Sequence, residues 1–161
     1  TDGQPSANQY IFLSSNPPFN NVSIVIRNIG KLLVYFVAGP EGSGDNILTD
    51  NVVFADGPCE WTMITFVCEK SSMELEEELY DVVLMKLYKD GIKIGETTAF
   101  CDMSGYTVNN NAYISPSDWA FDGLLDDFRI FNKALSAAEI NQLYRQSIAT
   151  IWIGSEDFEN F

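Results

Sequence analysis

The sequence predicts an all-β protein, a two-sheet antiparallel β-sandwich with one short C-terminal helix over about residues 136–147. Short runs rich in Val, Ile, Phe and Tyr recur along the chain, and Gly, Pro and Asn separate them. An Asp-Gly pair between two such runs is a strong signal for a β-hairpin. A helical period comes only near the end of the chain, after a helix-capping pattern. We therefore expect strand after strand, and then a single helix docked on a sheet.

Composition limits the classes of function. The 161 residues, 46% of them hydrophobic, suit one domain over residues 1–161. Nine Lys and Arg against 23 Asp and Glu leave a net charge of −14, which repels phosphate backbones and anionic lipid. We therefore expect no nucleic-acid partner, and no membrane insertion because the longest apolar run, Leu32–Ala38, is far too short to span a bilayer. The absence of histidine excludes histidine-based catalysis and leaves oxygen-bound Ca²⁺ as the first choice of metal.

The first half of the chain contains several β-rich runs between turn residues. Pro40–Asn46 is predicted to be a loop on its composition, and Trp61, at the start of a later run, is predicted to lie in the core. The strands predicted in this half are Gln9–Leu13, Val22–Arg27, Leu32–Val37 and Trp61–Cys68.

A hairpin over Val82–Phe100 is the best local signal. Its turn contains Asp90-Gly91, residues that tolerate the positive φ of a tight turn, and this places Tyr88 opposite Lys93. The acidic run Glu74–Glu78 before the hairpin is expected to be a solvated connection.

The same register places Tyr80 opposite Cys101 and points Cys68 and Cys101 to opposite faces, which argues against a bridge between them. Two interpretations stay open for the three cysteines, the third of which is Cys59. They are either small buried side chains, or one disulfide together with one free thiol.

Ser136 and Glu139 form a capping box at the start of the predicted helix. Ile140, Leu143 and Tyr144 then follow at helical spacing and share one face. A helix of about three turns is too short to stand alone, so this face is expected to pack on a sheet.

The segment Phe121–Ser136 resembles the closing signature of laminin-G-like jelly-roll domains, which belong to the concanavalin-A-like lectin and glucanase group. The signature consists of a glycine, an apolar residue before an Asp-Asp pair, a strand, and Leu-Ser leading into a short helix. Trp61 and the Tyr88–Gly91 turn match further elements, so that the resemblance covers roughly residues 8–147. It implies a jelly roll of two curved sheets that binds carbohydrate or protein, outside the cell or at its surface, often with Ca²⁺.

The resemblance also raises catalysis, because the same fold houses laminarinase-like glucanases. These enzymes carry their carboxylates in a Glu-x-Asp-x-x-Glu motif on one strand. The sequence has no such motif, and the nearest run, Glu156–Glu159, has the wrong spacing. We therefore expect no enzyme.

Two candidate sites follow from the residues. The resemblance favours Asp126, of the Asp126-Asp127 pair, as a calcium ligand; the alternative is that one of the pair binds Arg129 or caps backbone. Trp119 is the candidate platform for a sugar, with Tyr113 and Asn110 beside it; the alternative is an aromatic that closes the end of the sandwich.

One modification and one assembly device complete the expectations. Asn21 lies in the only Asn-x-Ser/Thr glycosylation triplet. Residues 148–161 are predicted to form an extra strand and tail, because Ile148–Ile153 is rich in β-branched residues. Such a strand would fill the place of the family's first strand, or be donated to another copy of the chain to build a filament or surface assembly.

Overall fold

The computed structural model describes residues 8–16, 20–27, 30–37, 44–54, 61–100, 111–115 and 120–156. Eight strands precede one helix in these ranges. They are β1 (Gln9–Asn16), β2 (Asn20–Ile26), β3 (Leu32–Val37), β4 (Gly44–Leu48), β5 (Ile64–Leu75), β6 (Glu78–Lys89), β7 (Ile92–Phe100), β8 (Asn111–Ile114) and α1 (Ala137–Glu156).

The strands form two antiparallel sheets, one of five strands in the order β4-β3-β2-β1-β8 and one of three in the order β5-β6-β7. Alternate residues of β3 and β6 point into the space between the sheets, as the two-residue period of a strand requires. Leu32 and Val34 on β3, and Met85 and Leu87 on β6, are fully buried there. The predicted two-sheet sandwich with a C-terminal helix is confirmed.

The hairpin between β6 and β7 has the predicted turn. Asp90 and Gly91 have φ values of 51° and 77°, and Tyr88 pairs with Lys93. A β-bulge then shifts the register, because Leu87 pairs with Gly95 rather than Ile94. The register beyond this point therefore differs by one residue from the predicted one.

The structure describes one of the three cysteines. Cys68 is exposed on β5, where it pairs with Met85. Cys59 and Cys101 lie outside the described residues, so the proposed pairing of Cys101 with Tyr80 does as well.

Three local predictions are wrong. The predicted Pro40–Asn46 loop overlaps β4, which forms because it pairs with β3 and places Ile47 in the core. Trp61 is 60% exposed, since it precedes the paired part of β5 and the strand alternation does not direct it inward. The strand that the resemblance implies after the Asp-Asp pair is absent from the described residues 128–131, and Asp127 before them has a left-handed φ of 54° rather than an extended one.

The helix begins at the predicted cap but continues to Glu156 instead of ending near residue 147. Residues 148–156 are therefore helical, which corrects the predicted tail strand and leaves no strand there for donation to another copy. Strand propensity is weak and depends on context, whereas extending an existing helix costs little per residue. Among the described residues, no helix has both the length and the apolar character needed to cross a membrane.

The start of α1 packs on the outer face of the three-stranded sheet, the face turned away from the other sheet. Ile140 is fully buried and forms a small apolar cluster with Leu135, Val67 on β5 and Tyr88 on β6. Gly91 in the hairpin turn lies against the same helix, because a Cβ at this position would be 3.3 Å from the Cα of Asn141. This packing confirms the predicted docking of the helix.

Candidate functional site

The predicted sugar site falls at the β8 edge of the five-stranded sheet. Tyr113 lies on β8, pairs with Leu13 and is 46% exposed. The other two candidates, Trp119 and Asn110, lie outside the described residues. The structure therefore describes one of the three residues predicted to bind the ligand.

The described residues on either side of Trp119 come together. The Phe121 N–H donates to the Ser115 hydroxyl oxygen over 2.9 Å, and the Ser115 N–H donates to the Ile11 carbonyl over 3.1 Å. Ala120 forms a parallel bridge with Tyr10. The chain thus leaves β8 at Ser115 and returns to the same edge of the sheet at Ala120.

The Asp126-Asp127 pair divides its roles. Asp127 binds Arg129 through two hydrogen bonds, 2.8 Å from Nε and 2.7 Å from Nη2. Asp126 accepts the Asp127 N–H at 2.7 Å through Oδ1. Both alternatives to calcium binding, an ion pair and a backbone cap, are thus present in the pair, while Asp126 keeps an exposed carboxylate.

The described part of the chain offers few ligands for a metal ion. No group of three or more Cys, Asp or Glu there is arranged to hold a metal ion. A calcium shell needs six to eight oxygens, and Asp126 supplies one carboxylate of the right chemistry.

Asn21, the predicted glycosylation site, lies in β2 opposite Ser15 and Val37; its modification stays a prediction.

A groove of about 670 Å³, which no motif in the sequence predicts, lies between the outer face of the three-stranded sheet and the residues that lead into α1. We call it the helix groove. Its lining is mostly polar or charged on the sheet side and mixes apolar with polar residues on the helix side. It consists of Glu69, Lys86, Tyr88, Gly91, Lys93, Glu96, Ala134, Leu135, Ser136, Ala137 and Glu139.

Strand pairing explains why the charged side chains of the helix groove share one face. Lys86 on β6 pairs with Val67 on one side and with Glu96 on the other, and Tyr88 pairs with Lys93. Directly paired residues point to the same face of an antiparallel sheet. The period-two alternation that buries Met85 and Leu87 therefore places Lys86 and Tyr88 on the opposite, groove-lining face.

Ion pairs fix the charges on the sheet side of the groove. Lys86 Nζ lies 3.2 Å from Glu69 Oε2, and Lys93 Nζ lies 2.8 Å from Glu96 Oε2. The hydrogen bond to Lys93 lowers the pKa of Glu96, and the reciprocal bond, with the attraction of the carboxylate, raises the pKa of Lys93. Lys93 and Glu96 are therefore both charged at neutral pH.

The capping box forms the helix side of the groove. The Ser136 N–H and the Ser136 hydroxyl each donate a hydrogen bond of 2.8 Å to Glu139 Oε2. The Glu139 N–H in turn donates a hydrogen bond of 3.3 Å to the Ser136 hydroxyl oxygen. Lys133 also donates to Glu139. The Lys133 bond, followed by the Ser136 bonds, lowers the pKa of Glu139 to about 2.

One sequence signal points to the helix groove in retrospect. The apolar face of the predicted helix needs an apolar partner on a sheet, and Tyr88 beside the turn is a large side chain on the outward face. Ile140 and Tyr88 do pack together. The charged lining, in contrast, follows only from the pairing of three strands, which the sequence does not specify.

A family model agrees with the fold. A family model of laminin G type, described as the concanavalin A-like lectin/glucanases superfamily, matches residues 1–141. A similar solved structure is an S-layer domain-containing protein from Clostridium thermocellum ATCC 27405, with 19% identity and a TM-score of 0.36. The match covers 87% of this chain and 64% of that one, so the chain spans less than two thirds of its length. The comparison with curated proteins finds no match.

Proposed function

The chain belongs to the concanavalin A-like lectin/glucanases superfamily, and from this premise we propose that it is a non-catalytic binding module. It acts outside the cell or at its surface, where laminin-G-like domains typically occur. Its ligand is a carbohydrate, held by Tyr113 at the β8 edge of the five-stranded sheet, with Trp119 and Asn110, which lie outside the described residues, as the other proposed contacts.

The exposure of Tyr113 is the observation that carries this proposal. A tyrosine ring that is 46% exposed on an edge strand offers an apolar face and a hydroxyl, and both suit a sugar ring. Trp119 directly precedes Ala120, which bridges to β1 beside β8. Trp119 itself lies outside the described residues, so its part in the site rests on the sequence alone.

Two of the three carboxylates that line the helix groove support a non-catalytic function. A glycosidase needs one carboxyl group whose pKa is raised, so that it can donate a proton to the leaving group. The pKa values of Glu96 and Glu139 are instead lowered by hydrogen bonds to lysines, with Ser136 adding to the effect at Glu139. These two groups are held as carboxylates and are unsuited to the role of acid.

Calcium is the second part of the proposal. Asp126 is exposed, and its carboxylate is a hard oxygen donor of the kind that Ca²⁺ prefers. Backbone carbonyls and water would have to supply most of the remaining shell. In this proposal Asp126 holds the metal, while Asp127 keeps its ion pair with the Arg129 side chain.

A glycan array followed by titration calorimetry tests the proposal with the full chain. We expect one carbohydrate class to bind, and Trp119→Ala and Tyr113→Ala each to weaken binding at least tenfold. Tyr80→Ala is the matched control, because Tyr80 is a tyrosine of similar exposure, 41%, on another strand. Binding that survives both substitutions, or is lost equally in the control, would contradict the site; an array without any binding would contradict the carbohydrate.

A further inference from the structure

We propose that the helix groove is a second binding site, which takes a neutral saccharide of one to three sugar rings through hydrogen bonds. This proposal does not rest on the site at Tyr113. The two sites lie on different sheets, since Tyr113 is on β8 and the groove is on the outer face of β5, β6 and β7.

The hydroxyl of Tyr88 provides the first argument. Tyr88 lines the groove, is 4% exposed, and packs its ring against Leu135 and Ile140. No residue that the structure describes forms a hydrogen bond with its hydroxyl. Buried hydroxyl groups are normally hydrogen-bonded, so one that lacks a partner in a groove marks a place for a ligand oxygen.

The charges around Tyr88 determine the class of ligand. Lys86 and Lys93 offer donors, while Glu69 and Glu96 offer acceptors, within one lining. Each lysine already has its carboxylate partner, so a charged ligand would have to compete with an existing ion pair. A sugar hydroxyl both donates and accepts, and it can add to these groups without separating them. A neutral polyhydroxy ligand therefore fits the lining better than an anion or a cation.

The shape of the groove agrees with a small ligand. A volume of about 670 Å³ lies within the 300–1,000 Å³ range that is usual for small-molecule sites. The capping box holds the helix side in place through three hydrogen bonds between Ser136 and Glu139. The groove is thus preformed, and a ligand would lose little affinity to the ordering of its walls.

The test uses ¹⁵N-labelled full chain titrated with glucose, maltose, cellobiose, lactose and maltotriose. At least one of these sugars is expected to shift the amide resonances of Lys86, Tyr88 and Lys93 in a saturable manner. Tyr88→Phe removes only the hydroxyl and is expected to weaken that binding roughly 2- to 13-fold, as the loss of one hydrogen bond would. Tyr80→Phe, on the same strand, is the matched control and is expected to leave the affinity unchanged.

Two further measurements keep the outcome interpretable. Tyr88→Phe is expected to melt no earlier than the parent chain, because the hydroxyl that it removes has no hydrogen-bond partner among the described residues. If this variant folds poorly, Glu69→Gln on the exposed side of the groove replaces it. Maltobionic acid, the oxidised counterpart of maltose, tests the preference for a neutral ligand. The proposal is overturned if no sugar shifts the groove resonances, if the variant binds as tightly as the parent, or if the acid binds more tightly than maltose.

Discussion

Gly95 on β7 lies so close to Ile47 on β4 that a Cβ built on the glycine would be 2.4 Å from the Ile47 Cγ2 atom. The two strands belong to different sheets. A hydrogen bond of 2.7 Å from the Thr97 hydroxyl to Asp45 Oδ2 joins the same pair of strands. The sandwich is therefore closed along this side by direct contact between β4 and β7, and the glycine is required by the packing.

Gly95→Ala is expected to destabilise the protein by about 1–3 kcal/mol, the usual cost of overpacking a core. Ile47 is buried and β-branched, so its Cγ2 atom cannot rotate away easily. Urea unfolding measures the change. In an Ile47→Ala background, which removes Cγ2, the cost of Gly95→Ala is expected to fall.

Gly123→Ala is the control for this prediction. A Cβ there would also meet an atom at 2.4 Å, but that atom is the Cζ tip of the Phe121 ring, and Gly123 itself is exposed. The ring can turn aside, so the cost is expected to be smaller than at Gly95. Equal costs at both glycines would contradict the argument from the packing of the sheets.

The sequence predicts the parts of the fold that depend on local rules. The Asp90-Gly91 turn and the Ser136–Glu139 capping box each follow from a few adjacent residues, and both are confirmed. The sequence does not predict β4, because its short run with Gly and Asp becomes a strand only by pairing with β3. The tail was misassigned because the same β-branched residues suit a strand or the continuation of a helix.

The candidate sites were harder to predict for a physical reason. Trp119 and Tyr113 attract attention in a sequence because large aromatic residues are recognisable one at a time. The helix groove depends on three strands and a helix start that bring Glu69, Lys86 and Glu96 to one face. No single residue or spacing in the sequence marks that arrangement.

The start of the helix provides a second prediction. Ser136→Ala removes a cap and is expected to cost about 0.5–2 kcal/mol. Ile140→Ala is expected to cost more, about 2–5 kcal/mol, because Ile140 is fully buried in the cluster with Tyr88. Urea unfolding of both variants gives the order. A larger loss in the serine variant would show that the cap, rather than the packing, holds the helix on the sheet.

The lowered pKa of Glu139 predicts a pH dependence. Its folded pKa of about 2 lies below the usual 4.5, so its carboxylate stabilises the folded state above pH 4.5. This contribution is lost as the pH falls from about 4.5 to about 2. Glu139→Gln is therefore expected to be less stable than the parent at pH 6 and to approach it near pH 2, as measured by thermal unfolding across this range.

Lys133 tests the cause of that dependence. Its hydrogen bond is the largest contribution to the lowered pKa of Glu139. Lys133→Met is expected to flatten the pH profile in the same direction as Glu139→Gln, with the Ser136 bonds retained. A profile identical to that of the parent would assign the effect to Ser136 instead.

The turn between β5 and β6 carries backbone strain. Glu76 and Glu77 have φ values of 50° and 68°, in the left-handed region that costs a residue with a side chain about 1–2 kcal/mol. Glu77→Gly is expected to stabilise the protein by about 0.5–1 kcal/mol, since the relief of strain exceeds the added flexibility of the unfolded chain. Glu77→Ala, which loses the charge but keeps a Cβ, separates strain from repulsion among the neighbouring glutamates. Equal stabilisation by both changes would identify repulsion as the cause.

The calcium proposal makes the final prediction. If Asp126 binds Ca²⁺ in the folded state, a concentration of 100 times the Kd adds about 2.7 kcal/mol to the free energy of unfolding. The melting temperature is then expected to be higher in excess calcium than in EDTA, and Asp126→Ala is expected to remove the difference. Asp127→Ala is the matched control: it loses the two bonds to Arg129 and lowers both melting temperatures, but it leaves the calcium shift in place. A calcium-dependent shift of the melting temperature that is lost in the Asp127 variant and kept in the Asp126 variant would instead identify Asp127 as the calcium ligand. Identical melting curves of the parent chain in EDTA and in calcium would contradict the calcium proposal.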